Sequence, residues 1–162
     1  MIGLLYPTRD CGEDDFLACA RKLDPDLTVD FAYVPWGEDI GRVDDLDPAE
    51  KHEAVSRACS RCSFTRGLAG AREQASVLSE RLGVPAHSTS LAYLTALAHL
   101  GTKRVALAPV YHRVTTTSFV DFLTETVIET VHSVSADAPS DRALGALGTP
   151  PVRRGLGTLF SR

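Results

Sequence analysis

Residues 67–109 read GLAGAREQASVLSERLGVPAHSTSLAYLTALAHLGTKRVALAP, and their pattern decides the fold class. Residues 67–82 are rich in alanine and glutamate, and residues 91–100 follow a Ser-Thr-Ser cap. A glycine ends each stretch, as is typical of helices. The short step 84–87 and the apolar run 103–109 are predicted strands, the second of them central. Helices of this length that alternate with strands predict βαβ units and a mostly parallel sheet.

The same alternation extends to both sides of this stretch. A short apolar run at the N-terminus ends at Pro7, and a group of acidic residues then marks a helix start. From residue 136 onward proline, glycine and alanine dominate, and the periodicity fades. The chain is therefore predicted to be an α/β protein with a mostly parallel, doubly wound sheet. The further predicted elements are strands at 2–6, 27–34 and 128–134 and helices at 13–23, 48–57 and 115–125.

Ligands of parallel α/β sheets bind beyond the carboxyl ends of the strands. The candidate functional loops are therefore those at 7–15, 59–66, 88–90 and 109–117. The glycine motif GxGxxG does not follow the first strand, and GxxxxGK[ST] does not occur in the chain. The sequence thus gives no support for a nucleotide cofactor.

The composition limits the classes of function. The 162 residues carry 17 Lys and Arg against 21 Asp and Glu, a net charge of −4, so no basic surface for nucleic acid is expected. Hydrophobic residues make up 44%, enough for a folded domain, but no apolar run approaches the ~20 residues of a membrane span. The first residues lack the basic start of a signal peptide, so we expect a cytoplasmic protein with no membrane partner.

Four cysteines are present, at positions 11, 19, 59 and 62. Because no secretion signal is evident and a chain of this length can build a core without crosslinks, free thiols are expected. The five histidines are scattered, and none is spaced from a cysteine as in a zinc site. No metal centre is predicted.

The densest group of reactive side chains is the segment 59–67, CSRCSFTRG, directly before the helix predicted at 67–82. Free N–H groups at a helix start bind carboxylates and lower the pKa of a thiol. An activated Cys59, with hydroxyl and backbone donors around it, could bind a carboxylate and move a proton on the adjacent carbon. Two other interpretations stay open: the cysteines are small buried residues of a turn, or their CxxC spacing marks a thioredoxin-like redox pair.

Residues 58–67, ACSRCSFTRG, resemble the first-nucleophile loop of the maleate cis-trans isomerase and arylmalonate decarboxylase family, within the aspartate/glutamate racemase superfamily. Other stretches resemble the family in the same order along the chain, and together they touch most of it. These are the opening strand and loop at 2–16, the helix start at 83–92, the strand and loop at 101–111, and the glycine-containing tail at 154–160.

The resemblance implies a cofactor-free enzyme of two facing, racemase-like α/β domains, with one catalytic position contributed by each. Its substrate would be a small carboxylic acid. Cys59 falls at the first catalytic position, as in the isomerases and racemases. Residues 63–67, however, are closest to the decarboxylase form of the loop.

The resemblance also implies substrate-binding residues. By position, Ser60 and Tyr111 would donate hydrogen bonds to a substrate carboxylate from opposite sides. Thr8, just past the first predicted strand, is a further candidate for this contact. Cys62 and Ser63 complete the set of candidate site residues.

Two segments that the resemblance predicts are not evident in the sequence. No apolar strand precedes Cys59, and the strand, cysteine loop and helix of a second domain are missing between Arg154 and Gly155. No second catalytic cysteine follows along the chain. The predicted division is therefore a racemase-like α/β domain at 1–134, followed at 135–162 by a partial second-domain remnant and the C-terminal tail.

The function predicted from these residues is a cofactor-independent isomerase that acts on a small dicarboxylate through Cys59 as nucleophile or base. Decarboxylation of an arylmalonate is the alternative within the same family. A non-catalytic domain that binds small acids or another protein is the alternative from a different class. The sequence leaves the substrate and any homo-oligomer open.

Overall fold

The structure is a computed structural model that describes residues 1–34, 52–138 and Ala143. The chain forms two compact units, Met1–Leu94 and Thr95–Arg162. Among the described residues, no helix is both long and apolar enough to cross a membrane.

The first unit contains a four-stranded parallel sheet with the strand order β2-β1-β3-β4. Because every pair is parallel, the carboxyl ends of all four strands lie at the same edge. The strands are β1 (Ile2–Tyr6), β2 (Val29–Tyr33), β3 (Ala54–Arg57) and β4 (Ala86–Ser88).

Helices connect these strands. The first begins after Gly12, whose φ of 116° is rarely adopted by residues with a side chain. The hydrophobic core of the unit is formed by Leu5, Ala32, Val34 and Val55 from the sheet side and Leu78 from the third helix. The helices are α1 (Glu13–Leu23), α2 (Ser60–Phe64), α3 (Gly67–Leu82) and α4 (Thr89–His99), the last of which includes the boundary between the two units.

The second unit is described as one βαβ segment. Strand β5 (Arg104–Leu107) pairs in parallel with β6 (Glu129–Ser133), and α5 (Arg113–Thr124) connects them. Phe122 and Leu123 of α5 are 1% exposed or less. Burial of such large apolar side chains, worth roughly 1.5–3 kcal/mol each, holds the helix in the fold of this unit.

The strand before Cys59 is present, and the prediction that it is missing is wrong. Residues 54–57 form β3, between β1 and β4, and not the end of a helix from residue 48. The sequence does not predict this strand because it is only four residues long and two of the four are polar, Ser56 and the buried Arg57. The sequence also does not predict the five-residue helix α2.

Several predictions concern residues outside the described part of the chain. These are the first part of the helix predicted at 48–57 and the tail at 154–160. The division into domains at residue 134 stays a prediction for the same reason. The other predicted strands and helices are confirmed, with ends that differ by a few residues. In the described part of the chain β5 pairs with β6 alone, so the central position predicted for the strand at 103–109 stays a prediction.

Candidate active site

The candidate site lies at the carboxyl edge of the first unit's sheet. Leu5 of β1 and Ser88 of β4 are the register partners of Arg57 on β3, and the Ala58 N–H donates to the Leu5 carbonyl oxygen at 2.9 Å. The segments that follow β1, β3 and β4 therefore leave the sheet side by side. Thr8 follows β1, so the register brings it to the same edge as the segment that begins at Ala58.

Cys59 is the residue that caps α2. Its sulfur accepts a hydrogen bond from the Cys62 N–H at 3.3 Å, and its exposed fraction is 8%. The structure joins Cys59 to Cys62 in a disulfide, with the two Cα atoms 5.4 Å apart. Free thiols are thus a wrong prediction for this pair, because one helical turn brings residues i and i+3 together. Cys11 and Cys19 are free, as expected.

Serine side chains connect the segment after β3 with the start of α4. The side-chain oxygens of Ser63 and Ser88 are 2.7 Å apart in a hydrogen bond, and the Ser90 hydroxyl donates to the Ser60 carbonyl oxygen at 2.8 Å. Ser63, Ser88 and Ser90 are each 1% exposed or less. We call these three residues with Cys59 and Cys62 the cysteine–serine cluster. The sequence predicts Ser88 and Ser90 as a helix cap within a candidate functional loop, but not as individual site residues. The serine repeat directly after a predicted strand is the signal for their further role.

The loop that carries Thr8 is held by Glu13, the first residue of α1. The Glu13 carboxylate accepts hydrogen bonds from the backbone N–H groups of Asp10 at 2.8 Å and Cys11 at 2.7 Å, and from the Tyr33 hydroxyl at 2.9 Å. Burial alone raises the pKa of Glu13, but these hydrogen bonds outweigh it and the pKa lies below its ordinary value. Thr8 is half-buried on a loop with a fixed course.

Arg57 is the site residue that the sequence does not predict. It is 4% exposed, and within the described part of the chain its Nε and Nη1 atoms have no hydrogen-bond partner. Burial, and to a lesser extent the nearby charge of Arg66, lower the pKa of its guanidinium. The available signal was a charged residue at the end of the short stretch 54–57, but the same charge, with Ser56, prevents the stretch from being predicted as a strand.

Tyr111 belongs to the second unit, and the rest of the candidate site belongs to the first. It follows β5, is half-buried, and its carbonyl oxygen accepts a hydrogen bond from the Ser135 hydroxyl. The Arg113 N–H donates to the Asp137 carboxylate at 2.9 Å in the same region. A cavity of about 610 Å³ lies beside this region, between α5 and the residues that follow β6. Over residues 1–34 and 52–138, no group of three His, Cys, Asp or Glu side chains could hold a metal ion.

A family model described as arylmalonate decarboxylase matches residues 42–141. The chain belongs to the arylmalonate decarboxylase family. The matched residues include the cysteine–serine cluster and Tyr111. None of the curated proteins compared with the chain matches it.

Solved structures of the same family have the same fold. A glycine-to-cysteine variant of arylmalonate decarboxylase, in a sulfate-associated form, is 23% identical with a TM-score of 0.77, over 98% of this chain and 72% of the other. A cysteine-to-serine variant of maleate cis-trans isomerase from Nocardia farcinica, with a covalently bound succinylcysteine intermediate, is 17% identical with a TM-score of 0.79, over 97% and 71%. The resemblance and the α/β fold class predicted from the sequence are confirmed.

The site's chemistry in this family member depends on the oxidation state of Cys59. In the disulfide neither sulfur can act as a nucleophile or a base. Once reduced, Cys59 is a largely buried thiol at the N-terminal cap of α2, two residues after the buried Arg57. The reduced segment therefore holds a thiol and serine hydroxyl groups within five consecutive residues, 59–63.

Proposed function

We propose that the protein is a cofactor-independent enzyme that isomerises a small dicarboxylate, with the thiolate of Cys59 as nucleophile or base. One observation supports the proposal: Cys59 lies two residues after the end of β3, at the carboxyl edge of the sheet, and caps the helix whose Ser63 is hydrogen-bonded to Ser88 of the neighbouring strand. Ser60 and Thr8 are the proposed donors to substrate carboxylate oxygens, and Ser63, which is fully buried and hydrogen-bonded to Ser88, holds the cysteine segment in position. Tyr111 is a further proposed donor, on the resemblance alone.

The proposed reaction on maleate needs no external electron carrier. The Cys59 thiolate adds to one carbon of the double bond, so that a C–S bond forms and the π electrons move onto the neighbouring carbon and its carboxylate. Hydrogen bonds stabilise this enediolate charge, which is where such donors contribute most. Rotation about the new single bond and expulsion of the thiolate give fumarate. The succinylcysteine intermediate named for the Nocardia farcinica isomerase supports a thiol adduct of this kind.

Decarboxylation of an arylmalonate is the second candidate, and the family match over residues 42–141 favours it. In this reaction one carboxylate leaves as carbon dioxide, and the electron pair of the broken C–C bond remains on the α-carbon as an enediolate. The Cys59 thiol then donates its proton to that carbon. Both candidate reactions use the same thiol and the same hydrogen-bond donors to carboxylate. Only the substrate that the protein converts distinguishes them.

The test uses the fully reduced protein with maleate and with phenylmalonate, followed by proton NMR. Fumarate supports the isomerase, and phenylacetate supports the decarboxylase. Cys59→Ser should abolish either product, whereas Cys19→Ser, which removes an exposed free thiol of α1, should leave it unchanged. Binding of both acids without turnover by the reduced protein would contradict the proposal and indicate a non-catalytic binding domain.

A further inference from the structure

Within residues 1–34 and 52–138, the guanidinium of Arg57 is a buried positive charge without a counterion. Arg57 is 4% exposed, and none of the described carboxylates forms an ion pair with it. Its Nε and Nη1 atoms have no hydrogen-bond partner there either. A buried ion without hydrogen bonds or an opposite charge is strongly unfavourable, and arginine does not escape by losing its proton. An anion that binds this group would remove the penalty.

The surroundings of Arg57 add positive charge. Arg66 precedes the 16-residue helix α3 as its N-terminal cap, and its charge acts on the Arg57 guanidinium. The start of α3 contributes N–H groups and the positive end of the helix dipole. Among the described residues of α3, one buried side-chain oxygen has no hydrogen-bond partner, the Gln74 Oε1 atom. It belongs to a neutral amide and therefore could not neutralise the charge of Arg57.

Arg57 also lies close to the proposed nucleophile along the chain. Arg57 ends β3, and Cys59 keeps an extended backbone, with φ −138° and ψ 101°. In extended backbone the side chains of residues i and i+2 leave the same side, and the two Cα atoms are about 6–7 Å apart. An arginine side chain can span that distance. The Arg57 guanidinium is therefore close enough to bind one end of a small ligand while another part of that ligand contacts the Cys59 sulfur.

We infer that Arg57, together with Arg66 and the start of α3, binds one carboxylate of a small dicarboxylate while the adjacent carbon faces Cys59. The inference rests on the proposed function, since it assigns that function's substrate a second charged group. A bidentate guanidinium–carboxylate pair gives both strength and orientation. Monocarboxylates of the same size should then bind much more weakly than dicarboxylates.

The experiment measures binding and not turnover, so that it stays separate from the test of the enzyme. Succinate, which has no double bond to react, is titrated by calorimetry into the reduced Cys59→Ser protein. The same titration uses butyrate, inorganic phosphate and chloride. Arg57→Leu and Arg57→Lys are then added to this background. Arg72→Gln, which removes an exposed charge from α3, is the matched control.

We expect succinate to bind at least tenfold more tightly than butyrate. Arg57→Leu should lower the succinate affinity at least tenfold, Arg57→Lys should lower it less, and Arg72→Gln should leave it unchanged. If Arg57→Leu does not fold, Arg66→Gln should give a severalfold loss. Unchanged succinate affinity in folded Arg57→Leu overturns the inference, as does binding of phosphate or chloride to Arg57 that succinate does not displace. Succinate binding that depends on Arg57, in a protein that turns over neither acid, would uphold the site and reject only the proposed enzyme.

Discussion

The side-chain oxygens of Ser63 and Ser88 lie 2.7 Å apart, in a hydrogen bond between two residues that are each 1% exposed or less. Ser63 belongs to α2, directly after the proposed nucleophile, and Ser88 ends β4. The Ser88 oxygen also accepts from the Leu91 N–H of α4 at 3.4 Å. The position of the cysteine segment thus depends on a buried polar contact with the neighbouring strand.

Removal of one hydroxyl from this pair should destabilise the fold. Ser63→Ala leaves the buried Ser88 hydroxyl with one hydrogen-bond partner fewer, which costs about 1–3 kcal/mol. Ser88→Ala should have a similar effect, and the double variant should lose less than the sum of the two. Urea unfolding measures these differences. Ser76→Ala, at an exposed position of α3, is the control and should stay within about 0.5 kcal/mol. Additive losses would show that the two hydroxyls do not act as a pair.

Activity should require a reductant, because the structure pairs Cys59 with Cys62. A thiol-reactive dye should titrate two cysteines in the oxidised, unfolded protein, Cys11 and Cys19, and all four after treatment with dithiothreitol. The folded protein should turn over its substrate, maleate or phenylmalonate, only after treatment with dithiothreitol. Cys62→Ser should remove the need for reductant, since Cys59 then has no cysteine at position 62 with which to form the disulfide. Full activity of the oxidised protein would contradict a role for the Cys59 thiolate.

The close packing of His52 against β1 predicts a second effect on stability. A Cβ atom added at Gly3 would lie 2.9 Å from His52 Cδ2, closer than such atoms approach. Gly3→Ala should therefore destabilise the fold by about 1–3 kcal/mol, as is typical of overpacked sites. In a His52→Ala background the substitution meets only Val55 Cγ2, at 3.3 Å, and should therefore destabilise the fold much less. Thermal unfolding of the four proteins forms the test, and an equal loss in both backgrounds would exclude the steric cause.

The fold was predictable where periodicity and helix caps agree. Gly67–Leu82 is a helix in the structure with the predicted bounds, because its alanine-rich pattern and Gly83 cap give the same answer. Strand β3 was not predictable, since a short strand with a buried arginine has neither alternation nor apolar character. Tertiary contacts on both sides, with β1 and β4, form it instead.

The candidate site follows the same division. Cys59 is recognisable from its segment, because thiols and hydroxyls are concentrated directly before a helix. The contact of Ser63 with Ser88 joins residues 25 positions apart, so it depends on the strand register and not on any local pattern. The burial of Arg57 is likewise a property of the packed sheet. The disulfide partner of Cys59 is only three residues away, but the spacing of the two cysteines does not show whether they are oxidised or reduced.

The hydrogen bonds of Glu13 predict an acid-sensitive loop. They hold the pKa of Glu13 below its ordinary value of 4.5, although burial acts in the opposite direction. A carboxylate with a depressed folded-state pKa contributes stability above its unfolded pKa, and this contribution is lost as the pH falls through the folded value. Below about pH 4.5, wild-type protein should therefore lose stability partly because Glu13 becomes protonated and releases the backbone N–H groups of Asp10 and Cys11.

Glu13→Gln isolates this contribution, because the amide cannot be protonated in this range. The variant should be less stable than wild type at pH 7, and the difference should shrink as the pH falls below about 4.5. Asp14→Asn removes an exposed carboxylate from the same helical turn and should keep the wild-type acid dependence. Thermal unfolding at intervals between pH 3 and pH 7 measures all three proteins. A difference between wild type and Glu13→Gln that is constant with pH would show that the hydrogen bonds of Glu13 do not depend on its charge.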